Sequence, residues 1–314
     1  MTILITRRIG IAALTLLLVS AVVFSITSVL PGDAAQAALG QSATPEAIAA
    51  LRAQMGLDEP AYLRYLHWLG GILSGNPGQS LANNTPVAEL IALRLPKSLW
   101  LAAAAAAVSV PIALSIGILA AMYRGSRLDR TLSFVTLAMV AVPEFLVATV
   151  AVLIFAVKLH WLSALSYVPD APGAGQFLRA YAMPVMTLSF VVTAQMARMT
   201  RAAVIDQLNQ PYVSMAILKG SSPARIVLRH ALPNAVGPVA NAVALSLSYL
   251  LGGAIIVETI FNYPGIASLM VDAVTNRDMP LLQACAMIFC CAYLALVLLA
   301  DVFAIVSSPK LRRR

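Results

Sequence analysis

Charge is what this sequence has least of. Of its 314 residues only 11% are Asp, Glu, Lys or Arg, against 60% hydrophobic. A soluble globular chain carries about a quarter charged residues. So few charges cannot cover the surface of so long a chain in water, and the bilayer must be its solvent. Cysteine is scarce as well. Cys285, Cys290 and Cys291 all lie in the last apolar run, with no CxxC spacing and no even-numbered framework, and read as buried, inert thiols. No GxxxxGK[S/T] loop occurs, since Lys97-Ser98 follows Pro96, so the chain cannot cradle nucleotide phosphates itself. HExxH and GxSxG are absent, and His67, His160 and His230 fall in separate segments, which argues against a protease and against a metal cluster. No period of 20–50 residues suggests a repeat array. The net charge of +8 does not point to nucleic acid, because the basic residues form short clusters between apolar runs and no nucleic-acid motif is present.

What the sequence has is long apolar runs, at 9–30, 98–122, 131–157, 181–200, 234–257 and 281–306. At about 1.5 Å per residue each can cross a hydrocarbon core about 30 Å thick. The expected fold is therefore all-α and polytopic, with six spanning helices in one domain over 1–314. The fourth run is the shortest and carries Thr187, Ser189, Thr193 and Gln195, which suggests a helix facing protein or water. The first run has the Arg7-Arg8 start and Ala35-Gln36-Ala37 end of a secretory signal. Its apolar stretch is longer than a signal core, so it reads as an uncleaved first helix.

The basic residues set an orientation. With the N-terminus inside, the inner segments hold Arg7, Arg8, Arg124, Arg127, Arg130, Arg198, Arg201, Lys219, Arg225, Arg229, Lys310, Arg312, Arg313 and Arg314. The outer segments hold Arg52, Arg64, Arg94, Lys97, Lys158, Arg179 and Arg277, so the balance is fourteen against seven of 21. Both termini are then cytoplasmic. Segments 31–97 and 258–280 lie outside, and the first includes helical stretches at Pro45 to Met55 and Tyr62 to Leu73.

Segment 201–233 lies inside. Pro211 can open a short helix that places Val213, Ala216 and Ile217 on one face. Gly220 ends it, and Ser222-Pro223 restarts a second short amphipathic helix carrying Arg225, Ile226, Leu228 and Arg229 to a break at Pro233. Two such helices suit either docking in another protein's groove or lying along the membrane surface.

These residues resemble the signature loop of bacterial ABC-importer permeases. Ala216 takes the final Ala position of its EAA motif, Gly220 the glycine, and Leu232-Pro233 the terminal pair. A wider set of residues is similar to the peptide/nickel permease family: Pro31-Gly32-Asp33, Arg198-x-x-Arg201, Tyr212-Val213, Lys219-Gly220, Arg229-His230-Ala231, Asn234, Glu258-Thr259-Ile260-Phe261, Pro264-Gly265, Arg277-Asp278 and Asp301. The match runs in order along the whole chain. Ser214, Ala267 and Ser308-Pro309-Lys310 depart from the family pattern.

The resemblance implies one half of the pore of an ATP-driven importer in the bacterial inner membrane, for di- or oligopeptides. Nickel or another small solute is the alternative within the family, and an ion-gradient-driven secondary transporter the alternative outside it. Neither inverted repeats nor proline-broken mid-membrane helices are evident in favour of the latter. The implied partners are a second permease subunit, two cytoplasmic ATPase subunits that bind ATP and Mg, and an extracytoplasmic binding protein. The chain itself has no cofactor, no metal and no catalytic residue.

By the same resemblance Tyr212, Ala216, Lys219, Gly220, Arg225, Arg229 and His230 form the ATPase-coupling segment. The basic residues suit acidic groups on an ATPase and anionic lipid heads equally well. His230 reads as a structural hydrogen-bonder or a proton switch. Glu144, Gln195, Glu258, Phe261 and Asp278 are pore or gate candidates. Glu258 is either part of an outer gate or a helix-end carboxylate in water. Asp301, near the inner end of the last helix, is expected to pair with an Arg. Glu144 stands deep within the third run beside Pro143, where a charge is costly. It either lines the pore and attracts a cationic group or holds helices together as a hydrogen-bonded carboxyl.

Overall fold

The computed structural model describes residues 2–29, 44–46, 49, 59–166 and 174–307, and among them the only element besides helix is an isolated bridge between Gln79 and Pro86. Pro31-Gly32-Asp33, most of the stretch from Pro45 to Met55, and Ser308-Pro309-Lys310 lie outside the described residues. The helices are α1 (Thr2–Val29), α2 (Ala61–Leu73), α3 (Val87–Met122), α4 (Arg127–Ala141), α5 (Glu144–Lys158), α6 (Ala174–Leu208), α7 (Pro211–Leu218), α8 (Pro223–Ile260), α9 (Ile266–Thr275) and α10 (Met279–Ser307). Five of them, α1, α3, α6, α8 and α10, contain spans long and apolar enough to cross a membrane, and α4 with α5 makes a sixth if that pair counts as one.

The third span is not the continuous helix expected over 131–157. Val142 is extended, at φ −84° and ψ 123°, and α4 and α5 meet at 93°. Proline accounts for the break: Pro143 has no N–H for the helical ladder, and its ring drives the preceding residue out of the α region. The fourth span, expected to be the shortest, belongs to a helix of 35 residues. Short polar residues and a proline lower its apolarity without ending it. Pro233 does not end a helix either, because Ile226–Ala231 turn as a wider π-helix and the chain runs on to Ile260. Those wide turns accommodate a residue that cannot donate to the ladder.

The chain groups into two compact units. The first comprises Met1–Ile9, Leu99–Tyr263 and Tyr293–Arg314. Its core gathers Leu101, Ala105, Ala148, Met183, Leu188, Val192, Met196, Val257, Phe261 and Tyr263. Helix α6 runs through it, which explains its composition: Thr187, Ser189 and Thr193 are all buried, and Ser189 Oγ donates to the Ala105 carbonyl at 3.3 Å. Helices α3 and α6 cross at Gly117, where a Cβ would stand 2.6 Å from the Ala197 carbonyl oxygen and 2.7 Å from Thr200 Cβ. Arg8 and Asp301 form the expected ion pair, at 2.8 Å.

The second unit comprises Gly10–Ser98 and Pro264–Ala292. Val87, Ile266, Leu269, Ala273, Leu281, Ala284 and Cys285 form its core. Phe24 of α1 meets Tyr65 and Trp68 of α2, with ring centroids 5.5 and 5.6 Å away. Gln283 Nε2 donates to Thr27 Oγ1 at 2.5 Å, tying α10 to α1. The expectation of three buried cysteines holds for Cys285 alone, since Cys290 is half-buried and Cys291 exposed. Cys291 lies on an apolar helix, where exposure means lipid or another subunit rather than water.

Candidate functional site

The segment after α6 is built from a short helix and a left-handed turn. Helix α7 opens with Pro211 at its first turn and rests on the chain through Val213 and Ala216, which pack with Ile226 and the half-buried Leu208. It closes as a helix does on an αL glycine. Gly220 has φ +74°, Gly220 N–H donates to the Ile217 carbonyl at 2.9 Å, and Ser221 N–H to the Ala216 carbonyl at 3.2 Å. The buried face is narrower than the sequence suggests. Ile217 points outward with Met215, and Leu218 is 82% exposed. An eight-residue helix lying flat can bury only one stripe, and Val213 with Ala216 fill it.

The basic residues of this segment are on its surface. Lys219, Arg225 and Arg229 are exposed and His230 half-buried, with the His230 carbonyl accepting from Asn234 Nδ2 at 2.8 Å. Tyr212 donates its hydroxyl to Gln207 Oε1 at 3.0 Å. All seven coupling candidates thus lie along one continuous segment, from Tyr212 to His230.

The pore and gate candidates do not converge in the same way. Glu258 and Phe261 end α8 and are wholly buried, which removes the reading of Glu258 as a carboxylate in water. Tyr263 stacks edge-on against Tyr181 at 5.3 Å, and Ser166 N–H donates to the Phe261 carbonyl at 2.9 Å. Asn262 holds φ +48° between the two aromatics. The end of α8 is therefore a packed plug rather than an open vestibule. Gln195 is half-buried on α6.

Asp278 belongs to the second unit and is buried at the start of α10, where its Oδ1 accepts from the Leu281 N–H at 3.3 Å and its Oδ2 from Ser80 Oγ. This is a helix N-cap that also anchors the loop at residue 80. It forms one wall of a concavity of about 220 Å³ that Arg94 and Asp272 also line.

Glu144 is the first residue of α5, half-buried, at the bend after Pro143. Its carboxylate lies against Gly253 of α8: a Cβ there would stand 2.7 Å from Glu144 Oε2 and 3.0 Å from Oε1.

Sequence reading missed one pair altogether. Arg201, picked out only as part of Arg198-x-x-Arg201, grips Asp129 with both arms, Nε to Oδ1 at 2.7 Å and Nη2 to Oδ2 at 2.8 Å. Asp129 also accepts from the Gly125 N–H at 2.9 Å, and Ser126 caps α4 by accepting from the Asp129 N–H at 3.2 Å. The partners are 72 residues apart in sequence. Only the Ser-x-x-Asp spacing of the cap was visible in advance, and it indicates a helix start rather than an ion pair.

Comparison with known proteins gives these features a family. Residues 113–313 match the binding-protein-dependent transport system inner membrane component, and residues 1–102 match the N-terminal part of the membrane component of such systems. The chain is 32% identical over 308 residues to a probable peptide ABC transporter permease protein of Sinorhizobium fredii, covering 98% of both chains. It is 35% identical over 298 residues to the glutathione transport system permease protein GsiC of Escherichia coli, covering 95% of both. With a proline-opened helix and an αL glycine in the loop between α6 and α8, and with matches along both of its parts, this chain belongs to the family of inner-membrane components of binding-protein-dependent transport systems.

Proposed function

We propose that this chain forms half of the translocation pathway of an ATP-driven importer of di- or oligopeptides, and that α7 with Gly220 is its dock for the ATPase subunits. The observation that carries this reading is the disposition of α7. Two small side chains fasten it to the chain while Met215, Ile217 and Leu218 stay exposed at a rigid turn. Exposed apolar residues grouped on one short helix, ringed by Lys219, Arg225 and Arg229, suit a partner's groove better than water. The chain lacks a P-loop, so the energy for transport comes through this contact. Two ATPase subunits, a second permease subunit related to this one and an extracytoplasmic binding protein complete the complex in the bacterial inner membrane. Both termini and the α7 loop face the cytoplasm. The peptide cargo rests on the names of the relatives and on the absence of any histidine cluster in the sequence that would suit nickel.

The bend at Pro143 is the one feature that favours an ion-driven transporter, since broken helices build ion sites in that class. The family match over 113–313 outweighs it.

Docking is tested by crosslinking. Leu218→Cys, in a chain with Cys285, Cys290 and Cys291 replaced, should join to an ATPase subunit through a short bismaleimide in the assembled complex. Leu165→Cys, 52% exposed on another loop, should not. Crosslinking from 165 and none from 218 would place the dock elsewhere.

A further inference from the structure

Glu144 stands midway along the α4–α5 pair, between Arg127 and Lys158, at the point where the backbone turns by 93°. A carboxylate at such a depth costs a few kcal/mol unless something answers it. Within this chain the answer is incomplete. Among the described residues no cation and no hydrogen-bond donor meets the Glu144 side chain. The free N–H groups of the first turn of α5 supply a partial positive charge at one end only.

The opposite side is shaped to hold the group in place. Gly253 is buried on α8, and its missing Cβ leaves the notch in which the carboxylate lies, 3.2 Å from where that Cβ would meet Cδ. Gly252, the next residue back, is exposed and a Cβ on it would meet nothing within 4 Å, so the helix is uncovered beside the notch. A glycine in the interior of a helix costs about 1 kcal/mol against alanine. At Gly253 that cost has a visible return, because alanine would push the carboxylate away. A held, half-buried acid with one open side and no counter-charge is a receptor for a cation that comes and goes.

We propose that Glu144, positioned by Gly253, receives the ammonium group of the cargo, so that the importer selects peptides with a free amino terminus. This inference rests on the peptide-importer reading. A permanent cation on the second permease subunit would satisfy the same carboxylate, and the test separates the two.

The complete complex, with its ATPases and binding protein, is reconstituted in proteoliposomes and offered trialanine or N-acetyl-trialanine. The wild type should favour trialanine by about tenfold or more, the worth of one hydrogen bond to a charged group. Glu144→Gln keeps shape and hydrogen bonding but loses charge, and should abolish the preference by lowering trialanine uptake while N-acetyl-trialanine uptake stays the same. Glu144→Asp should keep part of the preference. Gly253→Ala should shift it towards that of Glu144→Gln with assembly intact, whereas a glycine needed only for packing would leave selectivity unchanged. Equal loss of both cargoes in Glu144→Gln, failure of that variant to assemble, or an unchanged preference would each overturn the proposal. ATP-driven uptake of trialanine by the wild type tests the importer reading by itself, so its absence sinks that reading and the inference together.

Discussion

At the scale of single residues, the strongest constraint is the fork between Arg201 and Asp129. Asp129 has only 6% of its side chain exposed, and both carboxylate oxygens are taken by Arg201. Removing one partner strands the other charge in a poorly hydrated site, which typically costs about 3–5 kcal/mol. Arg201→Ala should therefore lower the melting temperature of the detergent-purified protein sharply. The double variant Asp129→Asn with Arg201→Gln should recover part of the loss, and a melting temperature unmoved by Arg201→Ala would show the pair to be ornamental. Gly220 was legible beforehand because a glycine between two turn-breaking segments has few other uses, and its φ of +74° agrees. The fork was not legible, because nothing local in a sequence marks two charges 72 residues apart as neighbours. Ile217 was misplaced for a related reason. Over eight residues the helical period allows two adjoining faces, and the packing of Ile226 chose between them.

At the scale of elements, the bend between α4 and α5 decides the topology. If the pair crosses the membrane, the balance of basic residues is fourteen inside to seven outside. If it turns back, only Arg7, Arg8, Arg124, Arg127, Arg130, Lys158, Arg179 and Arg277 share the N-terminal side, eight of 21 against thirteen. For a cytoplasmic N-terminus the positive-inside rule favours the crossing. Single cysteines at Leu165 and Thr275, in a chain with the native thiols replaced, should then react with an impermeant maleimide from outside, and one at Ser222 should not. Labelling at 222 together with silence at 165 and 275 would refute this topology. The spans themselves were legible from hydropathy because their apolar runs exceed what any soluble element needs. Their ends were not. Helix α3 begins at Val87 rather than near 98, because its first turns pack in the second unit, and hydropathy does not register helix that leaves the lipid.

At the scale of the molecule, the two compact units carry different tasks. The first holds the proposed dock, the bend at Glu144 and the packed end of α8 at Glu258, Phe261 and Tyr263. The second holds the aromatic cluster of Phe24, Tyr65 and Trp68 and the concavity lined by Arg94 and Asp272. If α7 is the ATPase dock, a motion begun there has to reach the pore helices, and α8 offers a direct route. It runs without a break from Pro223, just past the dock, to Ile260 beside the plug. A helix used in that way transmits a displacement only if its base is firmly seated, which would give Gly220 a role beyond making the turn. A Cβ there would meet nothing within 4 Å, but a β-branched residue would be forced into a left-handed backbone, costing about 1–2 kcal/mol and reshaping the loop. The most direct measurement is peptide uptake and ATP hydrolysis recorded together in proteoliposomes of the full complex, wild type against Gly220→Val. Wild-type uptake should require ATP and ignore an imposed proton or sodium gradient, and Gly220→Val should still assemble and hydrolyse ATP while uptake falls about tenfold. Uptake that persists in Gly220→Val at the wild-type ratio of peptide to ATP, or that runs on an ion gradient without ATP, would contradict the proposed coupling.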